Sequence, residues 1–87
     1  MTNIKITIKN KMRHIRALIT DLRAHDPHRT TEQAKGIAKT AVIMCYVVLD
    51  FAEAAQLDNI ITAEEYKEIA ERIRDSFTEL TKLNNEL

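Results

Sequence analysis

The sequence predicts an all-α protein, a three-helix antiparallel bundle that oligomerises around a largely apolar central helix. One Gly and one Pro in 87 residues leave little material for the turns of a barrel or a sandwich. Apolar residues make up 45% of the chain and recur at the three- and four-residue spacing of helices with one buried face. A chain of this length builds one modest core, so we expect a single helical domain over residues 1–87.

The N-terminal segment, residues 1–9, admits two structures. Ile4, Ile6 and Ile8 alternate with polar residues as in a half-buried strand, but the sequence contains no partner strand. Ile4 and Ile8 also fit one face of a helix that continues to Met12. A short N-terminal strand or arm and a helical extension therefore both remain open.

Two helices are indicated in the first two thirds of the chain. Apolar residues at helical spacing predict the first helix over residues 10–25, and Pro27 ends it because the residue before a proline disfavours helical geometry. Thr30 and Gln33 form a capping-box pattern, in which each side chain bonds a free backbone donor of the other residue. The second helix is therefore predicted over residues 31–57.

A turn and a second capping box introduce the third helix. Asp58 and Asn59 mark the turn, and Thr62 with Glu65 repeats the capping pattern. This helix is predicted over residues 62–85. Its apolar seam comprises Tyr66, Ala70, Ile73, Phe77, Leu80, Asn84 and Leu87.

The second helix is apolar almost all round. Its polar residues fall on one narrow stripe, comprising Glu32, Lys35, Lys39, Asp50 and Glu53. Such a helix must be covered on nearly every side, and two short neighbours cover only part of it. A tightly wrapped monomer is one solution, but we expect a second copy to complete the burial. The predicted oligomer interface comprises Ile37, Ala41, Met44, Val48 and Phe51.

The charges are divided between the two parts of the chain, although the net charge is zero. Residues 1–39 carry nine Lys and Arg against three Asp and Glu, which gives +6. Residues 40–87 carry four Lys and Arg against ten Asp and Glu, which gives −6. A chain polarised in this way can attract polyanions to its basic part.

A row of cations follows one side of the first helix. Lys9, Arg13 and Arg16 recur at helical spacing away from the apolar face, so we expect them to meet solvent. Such a row suits the neutralisation of phosphates, which gives affinity without reading base sequence. A solvated charged face is the alternative. The predicted nucleic-acid-binding set comprises Lys5, Lys9, Lys11, Arg13, Arg16, Arg23 and Arg29.

The order of a strand-like segment and two helices over residues 2–50 resembles the ribbon-helix-helix family. The polar side chains of Lys5, Thr7 and Lys9 would lie on the outer side of that segment. The resemblance implies a dimer whose ribbon enters the major groove of DNA. This sequence departs from the family in its longer second helix, its added third helix and a turn without glycine. No contact residue is therefore carried over from the family.

The sequence lacks the motifs of an enzyme or a metal protein. It has no phosphate-binding loop and no nucleophile elbow, and its one serine is Ser76. His25 and His28 lack a clear third ligand, so we expect no metal and no cofactor. Cys45 lies in the most apolar stretch, where a reduced thiol acts as a small hydrophobe and fits a cytoplasmic location. We expect a non-enzyme.

Two functions remain as hypotheses. The first is a regulatory homo-oligomer that binds RNA or DNA phosphates through the basic first helix. The second is a protein-binding adaptor or inhibitor that docks a charged helix face on a complementary partner. The second hypothesis also draws on an acidic row that should face water on the third helix, comprising Glu64, Glu68, Glu71 and Asp75.

Overall fold

The computed structural model describes residues 3–87 and shows three helices with no strand among these residues. The helices are α1 (Ile4–Arg23), α2 (Thr31–Leu57) and α3 (Ala63–Asn85). The molecule measures 45 × 25 × 15 Å along its principal axes. None of the three helices is both long enough and apolar enough to cross a lipid bilayer.

Helix α1 includes most of the N-terminal segment that the sequence left open. It begins at Ile4 rather than at residue 10, and it ends at Arg23 rather than at residue 25. The Asn3 side chain caps this helix by accepting a hydrogen bond from the Lys5 backbone N–H at 2.9 Å. The start of the predicted arm, residues 1 and 2, lies outside the described residues. From Asn3 onward the structure shows no strand, so for this part of the chain the helical extension is the one of the two alternatives that occurs.

Capping boxes begin the other two helices. The Thr30 hydroxyl accepts from the Gln33 N–H at 3.1 Å, and the Gln33 side chain accepts from the Thr30 N–H at 3.0 Å. Thr62 and Glu65 make the same pair of bonds, at 3.1 and 3.0 Å. Each box satisfies two backbone donors that a helix start leaves free, so each helix begins directly after its capping threonine.

A left-handed residue ends α2 and turns the chain toward α3. Asn59 has φ 57°, a conformation that Asn tolerates better than most residues. The Ile60 N–H donates to the Ala55 carbonyl at 2.8 Å, and the Asn59 N–H donates to the Gln56 carbonyl at 3.0 Å. These two bonds form a Schellman motif, which satisfies carbonyls at the helix end.

The helices follow an up-down-up order. Lys5 at the start of α1 pairs with Glu65 at the start of α3, and Arg23 at the end of α1 pairs with Glu79 in the last third of α3. Helices α1 and α3 are therefore parallel to each other and antiparallel to α2. The predicted three-helix bundle is confirmed.

The bundle core combines large side chains with small ones. Helices α1 and α3 contribute mainly large residues, namely Ile8, Ile15, Ile19, Leu22, Ile73 and Leu80. Helix α2 contributes mostly small ones, namely Ala34, Ala38, Ala41, Cys45, Val48, Ala52 and Ala55. Small side chains on α2 let its two neighbours approach closely. Of the large apolar residues of α2, Ile37, Met44 and Leu49 pack against the core, whereas Ile43 and Tyr46 remain 53% and 56% exposed.

The predicted oligomer interface divides into two groups in the structure. Ala41 and Val48 are fully buried within one chain, so they belong to the bundle core. Ile37 and Met44 pack against the edge of that core, and Phe51 remains 37% exposed. Helical periodicity identified α2 as apolar all round, but it did not show which of its sides α1 and α3 cover.

Candidate nucleic-acid interface

The seven cations predicted to bind nucleic acid occupy different surroundings. Six lie on α1, and Arg29 lies in the loop before α2. Lys5, Lys9 and Arg13 are exposed, as are Arg16 and Arg23. The structure thus leaves most of the row at the surface, but several members bind carboxylates of the same chain.

Glu79 of α3 binds two arginines of α1. Its carboxylate accepts from the Arg16 guanidinium at 2.8 Å and also pairs with Arg23. The Glu79 side chain is only 20% exposed, whereas each arginine side chain is 54% exposed. The two guanidinium groups therefore hold α1 against α3 while part of each still meets solvent.

Two further cations are held by acidic residues. The Arg29 guanidinium donates to the Asp21 carboxylate at 2.6 Å, and its side chain is only 15% exposed. Lys5 lies 3.7 Å from the Glu65 carboxylate. Arg29 thus ties the loop to α1, and its burial leaves little of it to reach a phosphate.

Lys11 takes a different role from the rest of the row. Its ammonium lies 5.7 Å from the centre of the Phe51 ring on α2. A cation over an aromatic face is attracted to the ring electrons, so Lys11 joins α1 to α2. The structure therefore places Lys11 at a helix contact rather than with the exposed row.

Four cations meet at a groove between α1 and α3. The groove has a volume of about 530 Å³ and contains Lys9, Arg13 and Arg16 from α1 together with Arg72 from α3. Asp75 is the one carboxylate among the residues that line it, and Met12, Ile73 and Ser76 complete the lining. The lining thus carries three more positive than negative charges. A groove of this charge favours phosphate or another anion.

Arg72 is the member of this groove that the sequence did not predict. It follows Arg16 by 56 positions in the sequence, and only the packing of α3 on α1 brings the two together. Arg72 also donates to the Glu68 carboxylate at 3.0 Å, and its side chain remains 68% exposed. Helical spacing finds charges on one helix, but it cannot align the charges of two helices.

At the start of α3, the pKa of the Glu65 carboxyl is lowered from its usual range. The Thr62 backbone N–H donates to Glu65 and is the largest cause that lowers the pKa of this carboxyl. Nearby Lys5 and the Thr62 hydroxyl lower it further, while desolvation opposes them. Glu65 therefore stays ionised as part of the helix cap and its contact with α1.

The remaining candidate groups are the two loop histidines and the buried cysteine. Within residues 3–87 there is no cluster of three or more metal-binding side chains. His25 and His28 are both exposed in the loop after α1. Burial raises the pKa of the Cys45 thiol, which disfavours the reactive thiolate. The groove is therefore the strongest candidate site.

Comparison with known proteins found no matching family model, no similar curated protein and no similar solved structure.

Proposed function

We propose that this chain is a non-enzymatic, homo-oligomeric protein that binds the phosphates of RNA or DNA. The observation that carries the proposal is the groove where Lys9, Arg13, Arg16 and Arg72 converge. Two helices contribute to this cluster, so it is fixed by the fold rather than by one flexible segment.

The groove contains three of the seven cations that the sequence predicted to bind nucleic acid, namely Lys9, Arg13 and Arg16. Lys9 and Arg13 are exposed and line the same groove as Arg72. Arg16 contributes as well, although it shares its guanidinium with Glu79. Because the cluster offers charge without an exposed stacking surface, it suits the backbone of a duplex or of structured RNA better than unstacked bases.

The proposal is tested by fluorescence anisotropy with a labelled DNA duplex and a labelled RNA hairpin over a series of salt concentrations. Each phosphate neutralised lowers the slope of log affinity against log salt by about 0.9 for a duplex. A cluster of four cations therefore predicts a slope of about −3 to −4. Replacement of both Lys9 and Arg13 by Glu should reduce affinity at least about tenfold, because each reversal adds repulsion to the lost attraction.

The matched control replaces Lys67 and Lys82 by Glu on α3. Both lysines are exposed and lie outside the groove lining, and the change in net charge is the same. An equal loss of affinity in both variants would mean that net charge, not the groove, governs binding. No binding to either probe at low salt would overturn the proposed function.

A second candidate function, a protein-binding adaptor or inhibitor, is favoured by the ion pairs within the fold. Lys5, Arg16, Arg23 and Arg29 each have a carboxylate partner, which reduces what they can offer to phosphates. The outer side of α3 meanwhile exposes a row of acids to solvent. The exposed acids are Glu64, Glu68, Glu71 and Asp75, of which Glu68 binds Arg72 and Asp75 also lines the groove.

This second candidate makes its own prediction. A partner with a basic surface should bind both the wild-type chain and the variant in which Lys67 and Lys82 are replaced by Glu. This binding should be lost when Glu64 and Glu71 are both replaced by Lys. Isothermal titration with the purified partner measures the effect. Binding that survives this charge reversal would contradict docking through α3.

A further inference from the structure

The side of α2 that faces away from the core carries an apolar patch around Ile43 and Val47, bordered by charged residues at Lys39 and Asp50. We call this side the outer face, and its central residues are Gly36, Thr40, Ile43, Val47, Asp50, Ala54 and Leu57. Between Lys39 and Asp50 the sequence has no charged residue at all. An apolar helix face of this kind is normally covered.

We propose that the outer face of α2 binds the same face of a second copy, with the two α2 helices antiparallel. This inference specifies the assembly that the proposed function includes, and it does not depend on nucleic-acid binding. Charge complementarity, spacing and the sizes of the exposed side chains each support it.

The spacing along the outer face is that of a coiled-coil seam. Its central residues follow one another at alternating intervals of four and three, from Gly36 to Leu57. This heptad repeat keeps one stripe of side chains in line with a neighbouring helix. Helix α2 therefore carries two stripes, an inner one that contacts α1 and α3 and an outer one for another helix.

An antiparallel partner gives six of the seven central residues a compatible central neighbour, and Leu57 lies beyond these pairs. With the two-fold axis between Ile43 and Val47, Ile43 packs against the partner's Val47. Thr40 then lies opposite the partner's Asp50, whose carboxylate can accept from the Thr40 hydroxyl in place of the Gly36 carbonyl, to which this hydroxyl donates at 3.0 Å within one chain. Gly36 lies opposite the partner's Ala54, and these small residues allow close approach.

The charges beside the seam select the same orientation. In the antiparallel register Lys39 lies beside the partner's Glu53, so the pair forms an ion pair twice across the two-fold axis. A parallel pair would place Asp50 against the partner's Asp50 in the seam. Two carboxylates in a covered interface repel each other, so the parallel arrangement is disfavoured.

The sizes of the side chains on α2 agree with a second covered face. Five of its seven buried residues are alanines, whereas Ile43 and Tyr46 are more than half exposed. Large apolar side chains gain most from burial, and Ile43 lies away from its own bundle, while the Tyr46 ring makes an edge-to-face contact with Phe77 of α3 at 5.9 Å between ring centres. In the antiparallel pair the two Tyr46 side chains lie beside each other near the axis.

Sedimentation equilibrium tests whether the pair forms. The wild-type chain should have twice its 10.0 kDa mass at about 100 µM, a concentration that populates dimers of micromolar affinity. Ile43→Asp should return the mass to 10.0 kDa with the helical circular dichroism retained. The matched control is Ile6→Asp, since Ile6 is 56% exposed on α1 and lies off the outer face. A monomeric wild type overturns the inference, as does an undissociated Ile43→Asp dimer.

Charge exchange tests the register without removing apolar surface. Lys39→Glu and Glu53→Lys should each weaken dimerisation about three- to tenfold, because each places like charges together. The double variant Lys39→Glu, Glu53→Lys should restore the wild-type affinity. A double variant weaker than either single one would contradict the antiparallel pairing.

The orientation is measured directly by electron-electron resonance between spin labels. A label at Lys35→Cys in a Cys45→Ala chain reports the separation of equivalent positions in the two copies. At about 1.5 Å per residue the antiparallel pair separates these labels by roughly 30 Å along the axis. A parallel pair keeps them within roughly 20 Å, since packed helices lie about 8–10 Å apart, and that result overturns the proposal. A chain that stays monomeric but binds the nucleic-acid probes would overturn the pairing alone.

Discussion

The Glu65 side chain caps α3, pairs with Lys5 of α1 and has a lowered pKa. Its pKa is lowered chiefly by the bond from the Thr62 backbone N–H, with Lys5 adding to the effect. A carboxyl with a lowered folded-state pKa contributes stability above its unfolded pKa of about 4.3. This contribution is lost as the pH falls through the folded-state value.

We predict that Glu65→Gln flattens the acid limb of the stability profile. The amide can still accept from the Thr62 N–H, but it no longer titrates, so stability should change less between about pH 5 and 3. Urea unfolding at a series of pH values measures the profile. Glu71→Gln removes one charge from the outer side of α3 and serves as the control. A profile unchanged from wild type would contradict the role assigned to Glu65.

Cys45 provides a second prediction at the scale of one residue. Its thiol is 1% exposed, and burial raises its pKa, so both access and the thiolate are limited. A disulfide reagent should therefore modify it slowly in the folded chain and rapidly in urea. Thr20→Cys in a Cys45→Ala chain is the exposed control and should react at once. Fast reaction of native Cys45 would mean that the core around it opens readily.

The end of α2 depends on the backbone conformation of one residue, Asn59. Asn59 adopts the left-handed conformation that completes the Schellman motif. We predict that Asn59→Ala lowers the free energy of unfolding by about 1 kcal/mol, because Ala strains this conformation. Asn59→Gly should leave it equal or higher. Thermal unfolding of the two variants gives the comparison, and equal losses would show that the side chain of Asn59 matters instead.

At the scale of elements, the sequence predicted α2 well and α1 less well. The Thr30 capping box and the turn at Asn59 bracket α2 with local chemistry, so its limits needed no tertiary information. The start of α1 was ambiguous because Ile4, Ile6 and Ile8 fit two periods over so short a segment. In the structure Ile8 packs in the core as part of helix α1, so the segment is helical and not a strand.

The sequence predicted only part of the candidate site. Helical spacing found Lys9, Arg13 and Arg16 as one exposed row, and it could not find Arg72 because that residue lies on another helix. It also could not show that Glu79 binds Arg16 and Arg23. Charge patterns on single helices therefore indicate a surface, whereas the balance of charge at that surface depends on the packing.

For the whole molecule, we predict opposite outcomes for two similar substitutions on α2. Val48 is fully buried, so Val48→Asp places an unpaired carboxylate in the core of a domain whose total stability is about 5–15 kcal/mol. This variant should lose its helical circular dichroism. Ile43→Asp should retain it, because the change lies at the surface of one chain. A folded Val48→Asp variant would contradict the core described for the bundle.

The alanines on the inner stripe of α2 have a consequence for mutational tolerance. A larger residue at Ala41 or Ala52 would force α1 and α3 apart, and overpacking of this kind costs about 1–3 kcal/mol. Exposed Ile43 or Leu57 can change in size without moving a neighbour of the same chain. A saturation scan for folding alone would therefore show α2 least tolerant at its smallest residues and most tolerant at several of its largest.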